Sequence, residues 1–216
     1  MVNYLMTLGW APKGEREIVP WSEIESNFRL EDVTHSPAFF DIKKLLAFNG
    51  EYIRAMPVEQ FIVAVEPWLA GWRSTHPAAR WNQDTFVAMA PLVQTRIALL
   101  AEAPAMIDFL FLPDPELDPA AVAKVLHAAD AVAVLDATIE AFAMIRGDDW
   151  VADSIKAAFE AVAEARGVKT GKLQAPMRVS ITGRTVGPPL NESLELLGRE
   201  ETLRRLKAGR TVAGAA

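Results

Sequence analysis

An all-α fold is expected for this chain of 216 residues, and three observations predict it. Apolar residues recur at intervals of three and four through much of the sequence, as one buried face of a helix requires. Capping residues, prolines and glycines punctuate the chain at helix-length intervals. Alternation of apolar and polar residues nowhere lasts long enough to build a sheet.

The elements follow in order. Residues Val2 to Leu8 are apolar and read as a helix that Gly9 ends, with no cap ahead of it. Ser22-Glu23-Ile24-Glu25 has the pattern of a capping box, in which the serine caps the amide three residues on and the glutamate reaches back. Ser36-Pro37-Ala38-Phe39-Phe40 reads as extended, because the residue before a proline avoids the α region. Asp41 then caps a helix whose stripe is Ile42, Leu45, Leu46, Asn49, Tyr52 and Ile53. Pro57 opens another that runs to about Trp72, with Phe61, Val65, Trp68 and Trp72 as its packing face.

After a polar connection, Asn82 caps a helix carrying Phe86, Met89, Val93 and Ile97, and a shorter helix spans about Ala105 to Phe111. Pro113-Asp114-Pro115 interrupts it, and Asp118-Pro119 supplies an N-cap and a first-turn proline. From Asp118 to Arg166 consecutive helices are expected, broken at Gly147-Asp148-Asp149 and stopped by Gly167. Junctions near 57 and 113–118 divide the chain into an irregular unit, 1–56, and two helical units, 57–116 and 117–216. The six tryptophans are read mainly as core.

Composition restricts the chemistry. An apolar fraction of 51% supports a folded chain, and the lack of cysteine excludes disulfides, thiolate zinc sites and a cysteine nucleophile. Apolar runs such as Ala131 to Leu135 are far short of the ~20 residues that span a bilayer, and no signal pattern opens the chain, so a cytoplasmic protein without a membrane partner is expected. His35, His76 and His127 lie far apart with no carboxylate cluster, so no metal site is expected. Gly183-Arg184-Thr185-Val186-Gly187 lacks the Lys-Ser/Thr and the preceding strand of a phosphate-binding loop. No constellation reads as an active site, which points to a binding or positioning module.

The net charge of −6 argues at first against nucleic acid. From Lys169 to Arg210, however, nine basic residues (Lys169, Lys172, Arg178, Arg184, Arg199, Arg204, Arg205, Lys207, Arg210) face four acidic ones, a local charge of +5 that leaves −11 to the rest. This reads either as a basic face on an acidic body or as a solvated helix whose terminal cations complement its dipole. Within this region Pro176 to Leu190 breaks the pattern: a helix runs into Thr182-Gly183, then Gly187-Pro188-Pro189, then another helix. Two prolines fix two φ angles and remove two donors, so the loop holds its shape without pairing. Such a loop suits recognition and equally suits a helix-turn-helix connection.

Several segments together resemble one family. Asn3-Tyr4-Leu5-Met6-Thr7-Leu8-Gly9-Trp10 resembles the helix that follows the ATP-site loop of bacterial glutamyl-tRNA synthetases. Ser36-Pro37-Ala38, Phe40-Asp41-Ile42-Lys43-Lys44-Leu45 and Asn49-Gly50-Glu51-Tyr52-Ile53-Arg54 resemble the stem-contact segment of that family, and Pro176 to Gly198 resembles its anticodon-binding domain. The match runs nearly end to end and leaves out Ala213 to Ala216.

The resemblance implies a stem-contact region over 1–56 and an anticodon-binding domain of two helical subdomains. Arg178 is implied as an anticodon contact, its guanidinium stacking on a base or bonding its edge; a plain surface arginine is the alternative. Thr182 and Gly183 end its helix and expose backbone groups, while Gly187, Pro188, Pro189 and Leu190 form the surface on which a base lies, Leu190 being equally a core anchor. Arg96 resembles an arginine near the first anticodon base. Lys43, Lys44 and Arg54 are implied as stem phosphate contacts.

The partners implied are tRNA(Glu) and a catalytic domain of the same enzyme, with no DNA. The family's ATP-binding motifs are expected ahead of Met1, so no cofactor is expected in this chain, and ATP and magnesium belong to the catalytic domain. A standalone helical protein-interaction module derived from the same domain is the alternative, suggested by the acidic, Ala-rich region Asp118 to Arg166.

Overall fold

The computed structural model describes residues 1–12, 16–34 and 39–215, in which twelve α-helices and short 3-10 turns are present and no strand is found among the described residues. The helices are α1 (Val2–Met6), α2 (Trp21–Asn27), α3 (Ile42–Ala55), α4 (Val58–Thr75), α5 (Gln83–Gln94), α6 (Ala103–Ile107), α7 (Pro119–Ala121), α8 (Ala131–Ala143), α9 (Ala152–Ala165), α10 (Thr170–Thr182), α11 (Leu190–Leu197) and α12 (Arg199–Ala213). Ser36-Pro37-Ala38, expected to be extended, lies outside the described residues.

Three of the expected caps form. The Asp41 carboxylate accepts from the amides of Lys43 (2.8 Å) and Lys44 (3.2 Å), Asn82 accepts from Thr85 (2.9 Å), and Asp118 accepts from Ala120 (3.0 Å). The capping box at Ser22 does not. The N-cap of α2 is Pro20, two residues ahead of Ser22, so Ser22 falls inside the helix and no side chain caps it. A π-helical turn over Val122–Leu126 extends α7, a departure no residue pattern announces.

One hydrophobic cluster runs from Ile53 to Ala213. Helices α4, α5 and α6 pack together, α8, α10 and α12 pack together with α9 beside them, and α11 touches both α5 and α9. The boundary expected near 113–118 falls within this cluster. In α4 the buried stripe is Phe61, Val65 and Leu69, one residue per turn, while Trp68 sits at the rim of that arc and is 50% exposed. Trp72 is half-buried, stacked on His76 with ring centroids 4.7 Å apart. Trp10 and Trp150 are buried, the latter donating to the Leu194 carbonyl (2.9 Å).

The first 56 residues are held by polar contacts as much as by apolar ones. Asn3 exchanges two 3.0 Å hydrogen bonds with the backbone of Val19 and also bonds the Tyr52 hydroxyl, while Tyr4 meets Phe40 and Phe48 edge-on. Asn49, expected on the apolar stripe, donates to the Ala98 carbonyl, and Gln94 of α5 donates to Ile53 (2.7 Å) and Met56 (2.8 Å). The two Gln94 bonds tie α5 to carbonyls at the C-terminal end of α3, where the helix runs out of its own amide donors.

Arginines near the C-terminus stitch the connector 105–118 to the bundle. Arg205, 2% exposed, donates to the carbonyls of Phe109, Ile181 and Leu112 and to Glu201. Arg204 bonds Glu201, Asp114 (2.8 Å) and the Pro113 carbonyl (2.7 Å). The hydrogen bond from Arg204, reinforced by Arg205, holds the Glu201 carboxyl below its ordinary value. A carboxyl lowered on folding stabilises the fold above its unfolded pKa and ceases to as pH falls through the folded value. Glu201→Gln is therefore expected to lower stability at pH 7 by roughly 1–2 kcal/mol, the worth of a hydrogen bond to a charged group. The gap to the unsubstituted chain should close on acidification below ~4, which urea unfolding across pH checks.

Candidate nucleic-acid interface

The site is built at the junction of α10 and α11. Helix α10 ends where Gly183 adopts φ +75°, with its amide bonded to the Val179 carbonyl (2.9 Å). The Thr182 hydroxyl donates back to Arg178 (2.9 Å) and accepts from the Arg184 amide (3.3 Å), which closes the helix end. Arg184 then turns away from the loop and grips Asp108 through both guanidinium nitrogens, at 2.8 and 2.6 Å, and the Ala105 carbonyl at 2.6 Å. The far end of the loop is fixed as well. Arg178 donates to the Pro188 carbonyl (2.7 Å), Pro189 stands as the N-cap of α11, and Ser193 donates to the Pro189 carbonyl (2.6 Å).

Gly187 has a specific steric reason. A Cβ there would lie 3.1 Å from Nη1 of Arg178, the atom that holds Pro188. Glycine thus lets the guanidinium cross the loop to its carbonyl. Burial lowers the pKa of Arg178, and the nearby positive charge of Arg96 lowers it further. Arginine stays charged under these influences, so Arg178 on α10 feels a like charge from Arg96, two residues beyond α5.

The structure therefore brings Arg178, Gly187, Pro188 and the charge of Arg96 into one neighbourhood, with Arg96 exposed. Thr182, Gly183, Pro188 and Leu190 are buried beneath it. The backbone groups expected to be exposed at Gly183 are already partnered, since its carbonyl accepts from the Asp118 amide (2.9 Å). Leu190 is a core residue, which decides between its two readings. At the loop tip Thr185 and Val186 are exposed, Val186 at 69%.

Lys43, Lys44 and Arg54 form a separate set on α3. Lys43 is exposed, Lys44 bonds Glu17 (2.7 Å) and lies over the Phe48 ring, and Arg54 bonds Glu51 (2.7 Å). No hydrogen bond or ion pair among the described residues joins them to the loop.

The tip residues and the Asp108–Arg184 pair are absent from the expected site. A signal for the pair was present: Asp108 interrupts the apolar run Met106-Ile107-Asp108-Phe109-Leu110, and a carboxylate in such a run needs a partner. The basic face expected from the local charge is also corrected. Arg184, Arg199, Arg204, Arg205 and Arg210 all bond internal acceptors. Among the described residues no cluster of three His, Asp or Glu able to hold a metal occurs, and no helix is long and apolar enough to cross a membrane.

Helices packed about one apolar cluster, with no strand among the described residues, define the class as an all-α helical domain. The chain belongs to the anticodon binding domain family, whose model matches residues 60–210. It is 56% identical over 214 residues to a glutamate–tRNA ligase of Salinispora arenicola, covering 97% of this chain and 45% of that protein. It is 53% identical over 210 residues to a glutamate–tRNA ligase of Frankia casuarinae, covering 97% and 44%. Among solved structures, a glutamate tRNA ligase from Elizabethkingia meningosepticum superposes with a TM-score of 0.73 at 25% identity, covering 97% of this chain and 40% of that one. The chain thus spans less than half the length of the relatives it matches.

Proposed function

We propose that the chain is the tRNA-docking part of a cytoplasmic glutamate–tRNA ligase and that the α10–α11 loop faces the anticodon of tRNA(Glu). The observation that carries this reading is a loop held at both ends, by Arg178 on the Pro188 carbonyl and by Arg184 on Asp108, in a chain of the anticodon binding domain family, and the positive charge of Arg96 felt at Arg178 supports it. Two guanidiniums kept near one another repel, and the acceptor-rich edge of an unstacked base or a phosphate relieves that repulsion. Only one hydrogen bond of Arg178, to Pro188, is internal among the described residues, so most of its five donors remain without a partner in the chain. Lys43, with Lys44 and Arg54 beside it, would contact stem phosphates and position the RNA without reading it.

The same reading gives a role to the apolar residues exposed on α1 and α2. Val2, Leu5, Trp21 and Phe28 line an open cavity of about 540 Å³. The rest of the ligase, where ATP and magnesium would serve glutamate activation, would cover them.

Titrating the chain with labelled tRNA(Glu) across a salt series tests the proposal. Affinity should fall steeply as salt rises, and no binding at low salt would sink it. Arg178→Ala is expected to weaken tRNA(Glu) binding by roughly tenfold or more and to weaken an anticodon-swapped tRNA less. Equal losses on both RNAs would make Arg178 a general phosphate contact.

A further inference from the structure

The loop that presents the candidate RNA surface is anchored from outside its own helices. Arg184, its second residue, reaches across to α6 and the 3-10 turn after it, where Asp108 accepts two hydrogen bonds and the Ala105 carbonyl of α6 a third. Both partners lie more than 70 residues earlier in the chain. The Asp108 side chain is 10% exposed, so its fork-to-fork contact with Arg184 is shielded from solvent competition. The other end of the loop hangs on Arg178 through Pro188. Between these anchors only Thr185, Val186 and Gly187 lie free of side-chain bonds among the described residues.

We propose that Asp108 is a positioning residue for RNA recognition: by gripping Arg184 it fixes the loop tip between its two anchors, without touching RNA itself. The inference rests on the anticodon-facing reading of this loop. It assigns a function to an acidic residue in a site for a polyanion, where acidity alone is unfavourable. Asp108 belongs to the connector between the α4–α6 group and the α7–α12 group, so the pair ties the loop after α10 to that connector.

The sign of the effect separates positioning from simple charge. Removing a carboxylate near RNA and freeing an arginine should strengthen RNA binding if only electrostatics mattered. If Asp108 positions the loop, Asp108→Asn instead weakens tRNA(Glu) binding on the order of tenfold, because a displaced contact set loses most of its complementarity. The salt dependence stays unchanged, since no phosphate contact is removed. Hydrogen exchange in the same variant should speed up at residues 185–187, with protection retained in α10 and α12. Arg184→Lys, which keeps the charge and loses the fork, should reproduce both changes and serves where Asp108→Asn folds poorly.

Affinity equal to or above that of the unsubstituted chain in a folded variant overturns the positioning role alone. An unsubstituted chain that binds no tRNA(Glu) overturns the anticodon-facing reading and this role with it.

Discussion

Replacing Arg205 with methionine is expected to cost about 3–5 kcal/mol of folding free energy, the penalty for removing one member of a buried ionic network. Arg205 is 2% exposed, and its guanidinium donates to Phe109 (2.7 Å), Ile181 (3.0 Å), Leu112 (2.9 Å) and Glu201 (2.6 Å). Three of these acceptors are backbone carbonyls, and two of them belong to helical turns whose own ladders leave them open. Each buried carbonyl left unpaired costs roughly 1–3 kcal/mol. Burial pushes the pKa of Arg205 downward, opposed by the bond to Glu201, yet an arginine remains protonated, so the site was built around a charge. Methionine fills nearly the same volume, so the measured loss reports hydrogen bonding more than a cavity. Lysine should recover only part of it, because a point charge does not span three carbonyls as a planar fork does. Urea unfolding should show a lower midpoint with an unchanged slope. A loss below ~1 kcal/mol would mean that water satisfies the carbonyls as well as the guanidinium does.

The same residues show what a sequence reveals and what it conceals. A local charge of +5 between Lys169 and Arg210 is visible by counting, and an RNA-facing surface is a sound expectation from it. The acceptors are not visible. Arg184 finds Asp108 76 residues away, Arg210 finds Asp136 74 away, and Arg204 finds Asp114 90 away, while Arg199 uses carbonyls of Ala143 and Ile145 that carry no side-chain signature. Charge counting treats every arginine as solvated. Here α12 and the loop after α10 use theirs to close onto segments formed much earlier in the chain.

Local signals behaved differently because their partners are local. Asp41, Asn82 and Asp118 cap helices since the amides they serve lie two or three residues on. Gly167 and Gly183 take positive φ at helix ends because a glycine there has no Cβ to clash. Ser22 failed for an equally local reason, Pro20 having claimed the start of α2. Periodicity located the α4 face but misjudged its rim, since a turn of helix leaves Trp68 adjacent to the buried arc without entering it. The α10–α11 loop was legible as two prolines and two glycines, whereas its anchoring by Asp108 required the three-dimensional contact.

Gly183→Ala is expected to lose about 3 kcal/mol or more, the second of the two largest effects. Two penalties combine there. A non-glycine residue at φ +75° costs about 1–2 kcal/mol by itself. The added Cβ would also lie 1.9 Å from the carbonyl oxygen of Glu116 and 2.7 Å from its carbon, both backbone atoms that cannot rotate away. Relief requires the connector to move, and Asp118 moves with it, breaking its 2.9 Å amide bond to the Gly183 carbonyl and disturbing the cap on Ala120. Gly167 provides the control: its φ is +63°, and an added Cβ meets nothing within 4 Å. Gly167→Ala should therefore lose only the conformational part, about 1–2 kcal/mol. The difference between the two alanine variants in urea unfolding measures how firmly the connector is pressed against the end of α10. Equal losses would mean that the connector yields freely, and the loop beyond Gly183 would then lack the fixed base from which Arg184 reaches Asp108.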